Sequence, residues 1–252
     1  TAGSEKRGIT LQQLLTHTSG LSACGAAAGV ERRDSAVQAI LSCRMAYAPG
    51  EGHLEVADDY NLVAALVEIS SGRSFEGYVR DRVLRPAGMA RTGFWGDGGA
   101  AAVARPRVPA EPGTLPATVW HDGWRHLNWG LRGASGMYST VGDLYRWLLA
   151  LRDHTVLGDA APELIAPRAL VRREPDAAVY EAFGWENEIR ADGRREARIA
   201  GWEPWAGASS AIWLLPSDAI IVLSNAGAVG DESWSRRVAT GLRELLLARP
   251  GT

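Results

Sequence analysis

The sequence predicts an α+β domain, and three observations carry that expectation. Apolar positions of helical period recur in five segments between residues 8 and 153. The last third changes to short β-type runs separated by turns. One amphipathic stretch then closes the chain, and helices followed by strands and a terminal helix are the order of an α+β fold. At 252 residues the chain can bury one large core. It is read as a single domain over 1–252, with a mainly helical lobe over about 9–180 and antiparallel strands plus the C-terminal helix over about 181–252.

The first element is GITLQQLLTH, a short amphipathic helix with Leu11, Leu14 and Leu15 on one face. Gly20 falls where a C-cap would, and Thr16, Thr18 and Ser19 can bond free backbone groups at such an end. His17 and Ser19 stand two residues apart, which on a helix points them to different faces. They are therefore read as a capped helix end rather than as a base and its nucleophile. DSAVQAILSC (34–43) is a second helix with Asp34 or Ser35 as N-cap, and YAPGEG (47–52) is a turn. YNLVAALVEISSG (60–72) is the strongest helical segment, with Leu62, Ala65, Leu66 and Ile69 in period and Gly72 as its stop. SFEGYVRDRVLRPAGM (74–89) follows, capped by Ser74, striped by Tyr78, Val79, Val83 and Leu84, and ended by Pro86 and Gly88.

Residues 93–118 are rich in Gly, Ala and Pro without periodicity and are read as a long loop or lobe insertion. STVGDLYRWLLALRD (139–153) is a helix with Ser139 or Thr140 at its cap. FGWENEIR, ARIAG, SSAIWLLP and AIIVLSNA read as strands separated by ADGR, WEPW and PSD turns, an antiparallel meander. SWSRRVATGLRELLLARP is the closing amphipathic helix.

Composition excludes several classes. With 27 basic against 29 acidic residues there is no electrostatic footprint for nucleic acid or an anionic membrane. No run of 18 apolar residues occurs, so no membrane span is expected. The chain opens TAGSEKRG, without Met or a signal-peptide pattern, as expected of a processed chain or a fragment; its compartment is left open. Thr1 could serve as an N-terminal nucleophile, but this opening reads as a loose terminus. Lys6 is the only lysine among the 27 basic residues, so any lysine base must be Lys6 or come from elsewhere.

Cys24 and Cys43 fit neither C-x-x-C nor a metal spacing; two buried free thiols are the first reading and one disulfide the second. His121 and His126 with Asp122 match no standard helix-borne metal site, and no metal or other cofactor is expected. Ten tryptophans are many, with Trp120, Trp124 and Trp129 in one cluster and Trp202 and Trp205 in another. Core packing is the plain reading, and an aromatic groove for an apolar or carbohydrate-like ligand is the sharper one.

Six stretches together resemble a known family. ITLQQLLTHTSGL (9–21), YAPGE (47–51), YNLVAALVEISSGRSFEGYVRDRVLRPAGMARTGF (60–94), GASGMYSTVGDLYRWLLAL (133–151), GASSAIWLLP (207–216) and IIVLSN (220–225) stand in the order of the serine β-lactamase and penicillin-binding-protein superfamily. The branch they resemble most is the class C type, with its related esterases and D-alanyl-D-alanine peptidases. The resemblance implies a β-lactamase/transpeptidase-like fold, a helical lobe plus an antiparallel sheet flanked by a C-terminal helix. It implies acyl transfer through a serine nucleophile and places THTSGL outside the machinery, as scaffold.

Three family motifs are expected, and none is found intact. Ser-x-x-Lys sets a base-acting lysine beside the nucleophile; here Gly3 stands three residues before Lys6, and only eight residues precede Ile9. Tyr-x-Asn falls, by ungapped counting, on Glu55, Val56 and Ala57, while Tyr60 matches the family's helix-starting tyrosine. Glu55 is weighed as a base in another scheme against an exposed loop carboxylate. Lys/His-x-Gly falls on Ile199, Ala200 and Gly201, where only the glycine survives.

The expectation is therefore a β-lactamase-related chain, truncated at its N-terminus and without family-type hydrolysis. The alternative is a serine hydrolase whose nucleophile lies on a segment outside this sequence, acting on a small-molecule ester, amide or β-lactam. Cleft candidates by family position are Glu55, Tyr60 and Gly201, with Ser135, Trp202 and Trp205 as binding residues. In the family, N-terminal strands join the C-terminal meander. AIIVLSNA is thus expected to present an open sheet edge, covered by self-association or a partner chain.

Overall fold

The structure is a computed structural model that describes residues 5–95, 128–203, 208–226, 228–229 and 232–248. Thr1, Trp120, His121, Asp122, Trp124, His126 and Trp205, all weighed above, lie outside the described residues, as does the side chain of Trp202.

Helix α1 (Leu11–Leu15) opens on a capping box in which the Thr10 hydroxyl accepts from the Gln13 amide and the Gln13 side chain accepts from the Thr10 amide. It closes at Thr16, earlier than the glycine stop suggested. His17 then takes left-handed backbone, with φ 52°. Beyond it the chain runs antiparallel past residues 45–54, the carbonyls of His17, Thr18 and Gly20 accepting from Leu54, Gly50 and Ala46. That pairing is what requires Gly20: its φ is 79°, and a Cβ would collide with the Tyr47 carbonyl oxygen.

Helix α2 (Arg33–Ser42) is capped by Arg32 without a side-chain bond, so Asp34 is no cap; it lies in the first turn, where its charge complements the helix dipole. Helix α3 (Ala57–Ser71) begins ahead of Tyr60 and ends on Gly72 in left-handed conformation. Its inward face differs from the predicted stripe. Asp58, Asp59, Asn61, Ala64 and Ala65 are buried, whereas Leu66 and Ile69 are 43% and 63% exposed. Polar partners on neighbouring segments draw the aspartate and asparagine inward, and that rotation of the helix overrides the hydrophobic period.

Helix α4 (Phe75–Val79) is capped by Ser74 and continues through a π-helical turn over Arg80–Leu84. Strand β1 (Gly93–Phe94) pairs antiparallel with β2 (Met137–Tyr138), so the region read as loop from residue 93 opens in a short ladder. Helix α5 (Val141–Arg152) is capped by Thr140. Its buried Asp143 accepts from the Arg91 amide at 2.7 Å, Thr92 Oγ1 at 2.8 Å and Arg146 Nη1 at 2.8 Å, pinning the chain after α4 to α5. Helix α6 (Ala161–Leu164) leads into the sheet.

The sheet is a six-stranded antiparallel meander of β3 (Ala169–Glu174), β4 (Ala177–Glu181), β5 (Glu186–Arg190), β6 (Arg195–Glu203), β7 (Ala208–Leu214) and β8 (Ala219–Ser224), in that spatial order. It begins before residue 181, where the strand-rich part was expected to start. ALVRRE and AAVYE lack clean apolar alternation, and Arg172 bonded to Glu174 and Glu186 supports that edge instead. Strand β6 runs through Glu203, which puts Trp202 in a strand rather than in a turn. A short hairpin of β9 (Ala228–Val229) and β10 (Glu232–Ser233) precedes α7 (Trp234–Leu247), capped by Ser233.

Both faces of the sheet are covered. Ala197 and Ile212 pack with Trp185 and Leu148 under α5, while Ala211, Trp213 and Ile220 pack with Ala239 of α7 on the other side. A separate core joins α1, α2 and α3 through Leu14, Ile40, Ala64 and Ala65, and Trp129, 4% exposed, belongs to it. Packing is therefore the role of that tryptophan. The two cysteines correct the free-thiol reading: Cys24 and Cys43 form a disulfide with Cα atoms 6.2 Å apart. The side chains reach that pairing because Gly20 and Leu21 run alongside Met45 and Ala46.

Candidate active-site cleft

The turn after α1 and the start of α3 meet on Asp59, whose side chain is fully buried. Its Oδ1 accepts from Ser19 Oγ at 2.5 Å and its Oδ2 faces His17 Nδ1 at 2.9 Å. Ser19 Oγ also accepts from the Leu21 amide at 3.1 Å. The Val56 amide approaches the same His17 nitrogen at 3.5 Å, which would require Nδ1 to accept. The closer carboxylate decides the matter, so Nδ1 carries the proton and donates.

The order serine–aspartate–histidine differs from a catalytic triad, in which the imidazole stands between hydroxyl and carboxylate. Here the serine proton already belongs to a carboxylate and the histidine does not touch the hydroxyl. Ser19 is 1% exposed. The array is a structural clamp, in keeping with the capped-end reading of His17 and Ser19.

Tyr60 lies beside this clamp. Its ring is tilted against His17 with centroids 5.2 Å apart, and its hydroxyl donates to the Leu15 carbonyl at 3.0 Å. Burial first, then the negative charges of Glu181, Asp59 and Glu55, push the phenol far above its ordinary value of 10.0. Tyr60 is a neutral hydrogen-bond donor and does not offer a tyrosinate. Glu55 is exposed at the same seam. The sheet reaches the seam through Gly184, where a Cβ would come within 3.2 Å of the Tyr60 hydroxyl, and through Glu181, whose Oε2 is 3.6 Å from His53 Nε2.

Asn61 clamps the next segment. Its Nδ2 donates to the Gly130 carbonyl at 2.7 Å, and its Oδ1 accepts from the Gly133 amide at 3.0 Å. Gly133 needs to be glycine because a Cβ would strike the Tyr60 carbonyl. Ser135 follows, half-buried, its amide bonded to the Leu131 carbonyl. Gly201 stands on β6 opposite Ser210, exposed, with open space where a Cβ would be.

Among the predicted residues, then, Glu55 and Tyr60 share one seam between helical lobe and sheet. Ser135 lies on the segment that Asn61 holds, and Gly201 lies on a separate strand. Asp59, His53, Glu181 and Gly184 were not anticipated; the one available signal was the acidic pair Asp58-Asp59 at the head of an apolar helix. Lys6 lies elsewhere, its Nζ donating to the Cys43 carbonyl at 2.6 Å. Among the described residues no cluster of His, Cys, Asp and Glu is suited to a metal ion. No helix among them is long and apolar enough to cross a membrane.

A helical lobe against an antiparallel sheet backed by a C-terminal helix defines the β-lactamase and transpeptidase-like class of folds. The chain belongs to the beta-lactamase family, whose model matches residues 1–239. It is 31% identical over 87 residues to PbpX of Bacillus subtilis (strain 168), which bears a penicillin-binding-protein name; the match covers 34% of this chain and 22% of that protein. Its fold is similar to that of an octameric penicillin-binding protein homologue from Pyrococcus abyssi, with a TM-score of 0.73 and 19% identity. That likeness covers 96% of this chain and 56% of the homologue. It is also similar to a class C beta-lactamase, with a TM-score of 0.72 and 15% identity over 98% of this chain and 73% of that one.

Proposed function

We propose that this is a serine-hydrolase-related domain with a small-molecule cleft that does not itself complete family-type acyl transfer. The observation that supports this most directly is the state of its only lysine, whose Nζ is bonded to the Cys43 carbonyl. A family-type base must be a lysine beside a serine hydroxyl, and Lys6 has neither the spacing nor a serine partner among its bonds. The ligand class is a small ester, amide or β-lactam entering between Glu55 and Tyr60 on one side and the β6 edge at Gly201 on the other. Ser135, Trp202 and Trp205 are its proposed walls.

Intact-mass spectrometry of the folded chain, after incubation with a fluorophosphonate and separately with a β-lactam, tests this. The expected result is no covalent adduct. A stoichiometric adduct on one serine overturns it. The second reading is an active serine hydrolase, favoured by membership in a hydrolase family and requiring a nucleophile contributed from outside these 252 residues. Adduct formation only in a longer form carrying an upstream Ser-x-x-Lys would establish that reading. The proposal also includes self-association, for which the octameric homologue is the support.

A further inference from the structure

From Ala23 to Val30 the chain crosses the helical lobe without helix or strand, as a strap of mostly exposed residues. Its one fully buried side chain is Ala27, 1% exposed. The inner side of the strap lies on Gly130, where a Cβ would come within 1.8 Å of the Ala27 carbonyl oxygen. Only glycine permits that approach. At the end of the strap the Val30 carbonyl accepts from the amides of Trp129 at 2.8 Å and Gly130 at 3.3 Å. From there the hold passes on, since Asn61 takes the Gly130 carbonyl and the Gly133 amide. The strap thus braces the near end of the segment that carries Gly133 and Ser135.

The Cys24–Cys43 bridge fastens this strap, and its two ends are unequal. Cys43 is a fixed post. It follows α2, whose Ala36 and Ile40 are buried in the core of the lobe. Its amide donates to the Ile40 carbonyl at 3.2 Å, and its carbonyl accepts from Lys6 Nζ at 2.6 Å. Its sulfur lies 3.4 Å from the Ala39 carbonyl oxygen, an acceptor for the thiol proton once the bridge opens. Cys24 is the loose end, exposed, with its amide turned back on the Ser22 carbonyl at 2.9 Å.

From this asymmetry we infer that the bridge is a redox latch. Closed, it holds the strap on Trp129 and Gly130; open, it leaves α2 in place, frees the strap and loosens residues 129–135. A dithiol opens it by supplying two electrons and two protons. One thiolate of the reductant attacks the Cys24 sulfur, the S–S bond breaks, and Cys43 leaves as a thiolate and takes up a proton. The second thiol of the reductant then displaces Cys24, which leaves protonated, and the reductant departs as its own cyclic disulfide. A disulfide donor runs the exchange backward. That Ser135 walls a ligand cleft rests on the function proposed above, whereas the latch is read out without any ligand.

Hydrogen exchange of the whole chain at low urea concentrations, oxidised and after dithiothreitol, is the test. Intact mass confirms the opening by the gain of two hydrogens, and Cys24→Ser/Cys43→Ser supplies a permanently open form. With the bridge open, the amides of Trp129, Gly130 and Gly133 are expected to exchange about tenfold or more faster. Their rates are also expected to depend little on urea, the mark of local opening, while β7 amides keep the steep dependence of global unfolding. In the double variant dithiothreitol is expected to change nothing; should that variant not fold, the reduced parent chain carries the comparison. Faster exchange confined to the strap, with 129–133 unchanged, overturns the latch. Acceleration of 129–133 in step with β7 and with the same urea dependence also overturns it, and makes the bridge a staple of global stability alone. So does a bridge that dithiothreitol opens only when the chain unfolds.

Discussion

Asp59 is the residue on which the helical lobe depends, because it is the shared partner of two groups from another segment. Replacing it with alanine leaves His17 Nδ1 and Ser19 Oγ facing each other across a void. The expected cost is about 3 kcal/mol or more, read from urea unfolding. Ser19→Ala removes one bond to each of two neighbours and is expected to cost about 1–3 kcal/mol, while reactivity toward a fluorophosphonate stays as in the parent chain. A nucleophilic Ser19 would give the opposite pattern, little loss of stability and complete loss of adduct. At Glu186, burial alone would raise the carboxyl, but the guanidinium groups of Arg198 and Arg172 outweigh it and hold the group below its ordinary 4.5. A depressed carboxyl contributes stability above its unfolded value and loses it as pH falls through the folded one. Glu186→Gln is therefore expected to be less stable than the parent at neutral pH and to lose less further stability on acidification below pH 4.5, as followed by thermal melts.

At the scale of elements, the turn from α1 into the 45–54 segment is governed by backbone geometry. Gly20→Ala is expected to destabilise by about 2 kcal/mol or more, since the new methyl meets a carbonyl and the backbone is left-handed. Thr10→Ala, which removes the cap of α1, is expected to cost about 1 kcal/mol in the same denaturation series. Helices α2 to α5 and strands β5 to β8 were legible in sequence because period and turn residues agree there. The failures have physical causes. The glycine that looked like a helix stop serves an antiparallel crossing with Ala46 and Tyr47. The stripe of α3 misled because hydrogen bonds, which hydropathy does not register, turn Asp59 and Asn61 inward. The first strands were hidden because ion pairs rather than apolar alternation support that edge. At the seam between helical lobe and sheet, the neighbourhood of Tyr60 and Glu55 was legible from their order along the chain. Glu181 and Gly184 were not, since only the approach of the sheet to α3 brings them there.

Taken whole, the described residues form four buried apolar clusters, and covalent reinforcement lies beside one of them. The Cys24–Cys43 bridge closes a loop of 19 residues around α2. Its removal by Cys24→Ser/Cys43→Ser is expected to cost about 3 kcal/mol, and reductant is expected to lower the melting temperature of the parent chain but not of that variant. The sheet side has no such bridge among the described residues and relies on α5 and α7 to cover its two faces.

Lys6 has a use that does not depend on any of this chemistry. Only one side chain in the protein carries a primary amine, and its nitrogen sits on the carbonyl of a disulfide-bonded cysteine. Reductive methylation with isotopically labelled formaldehyde would thus install a single side-chain reporter at a known place. Its resonance would register whether the bridge is closed, beside the one further signal of the methylated α-amine and without any substitution.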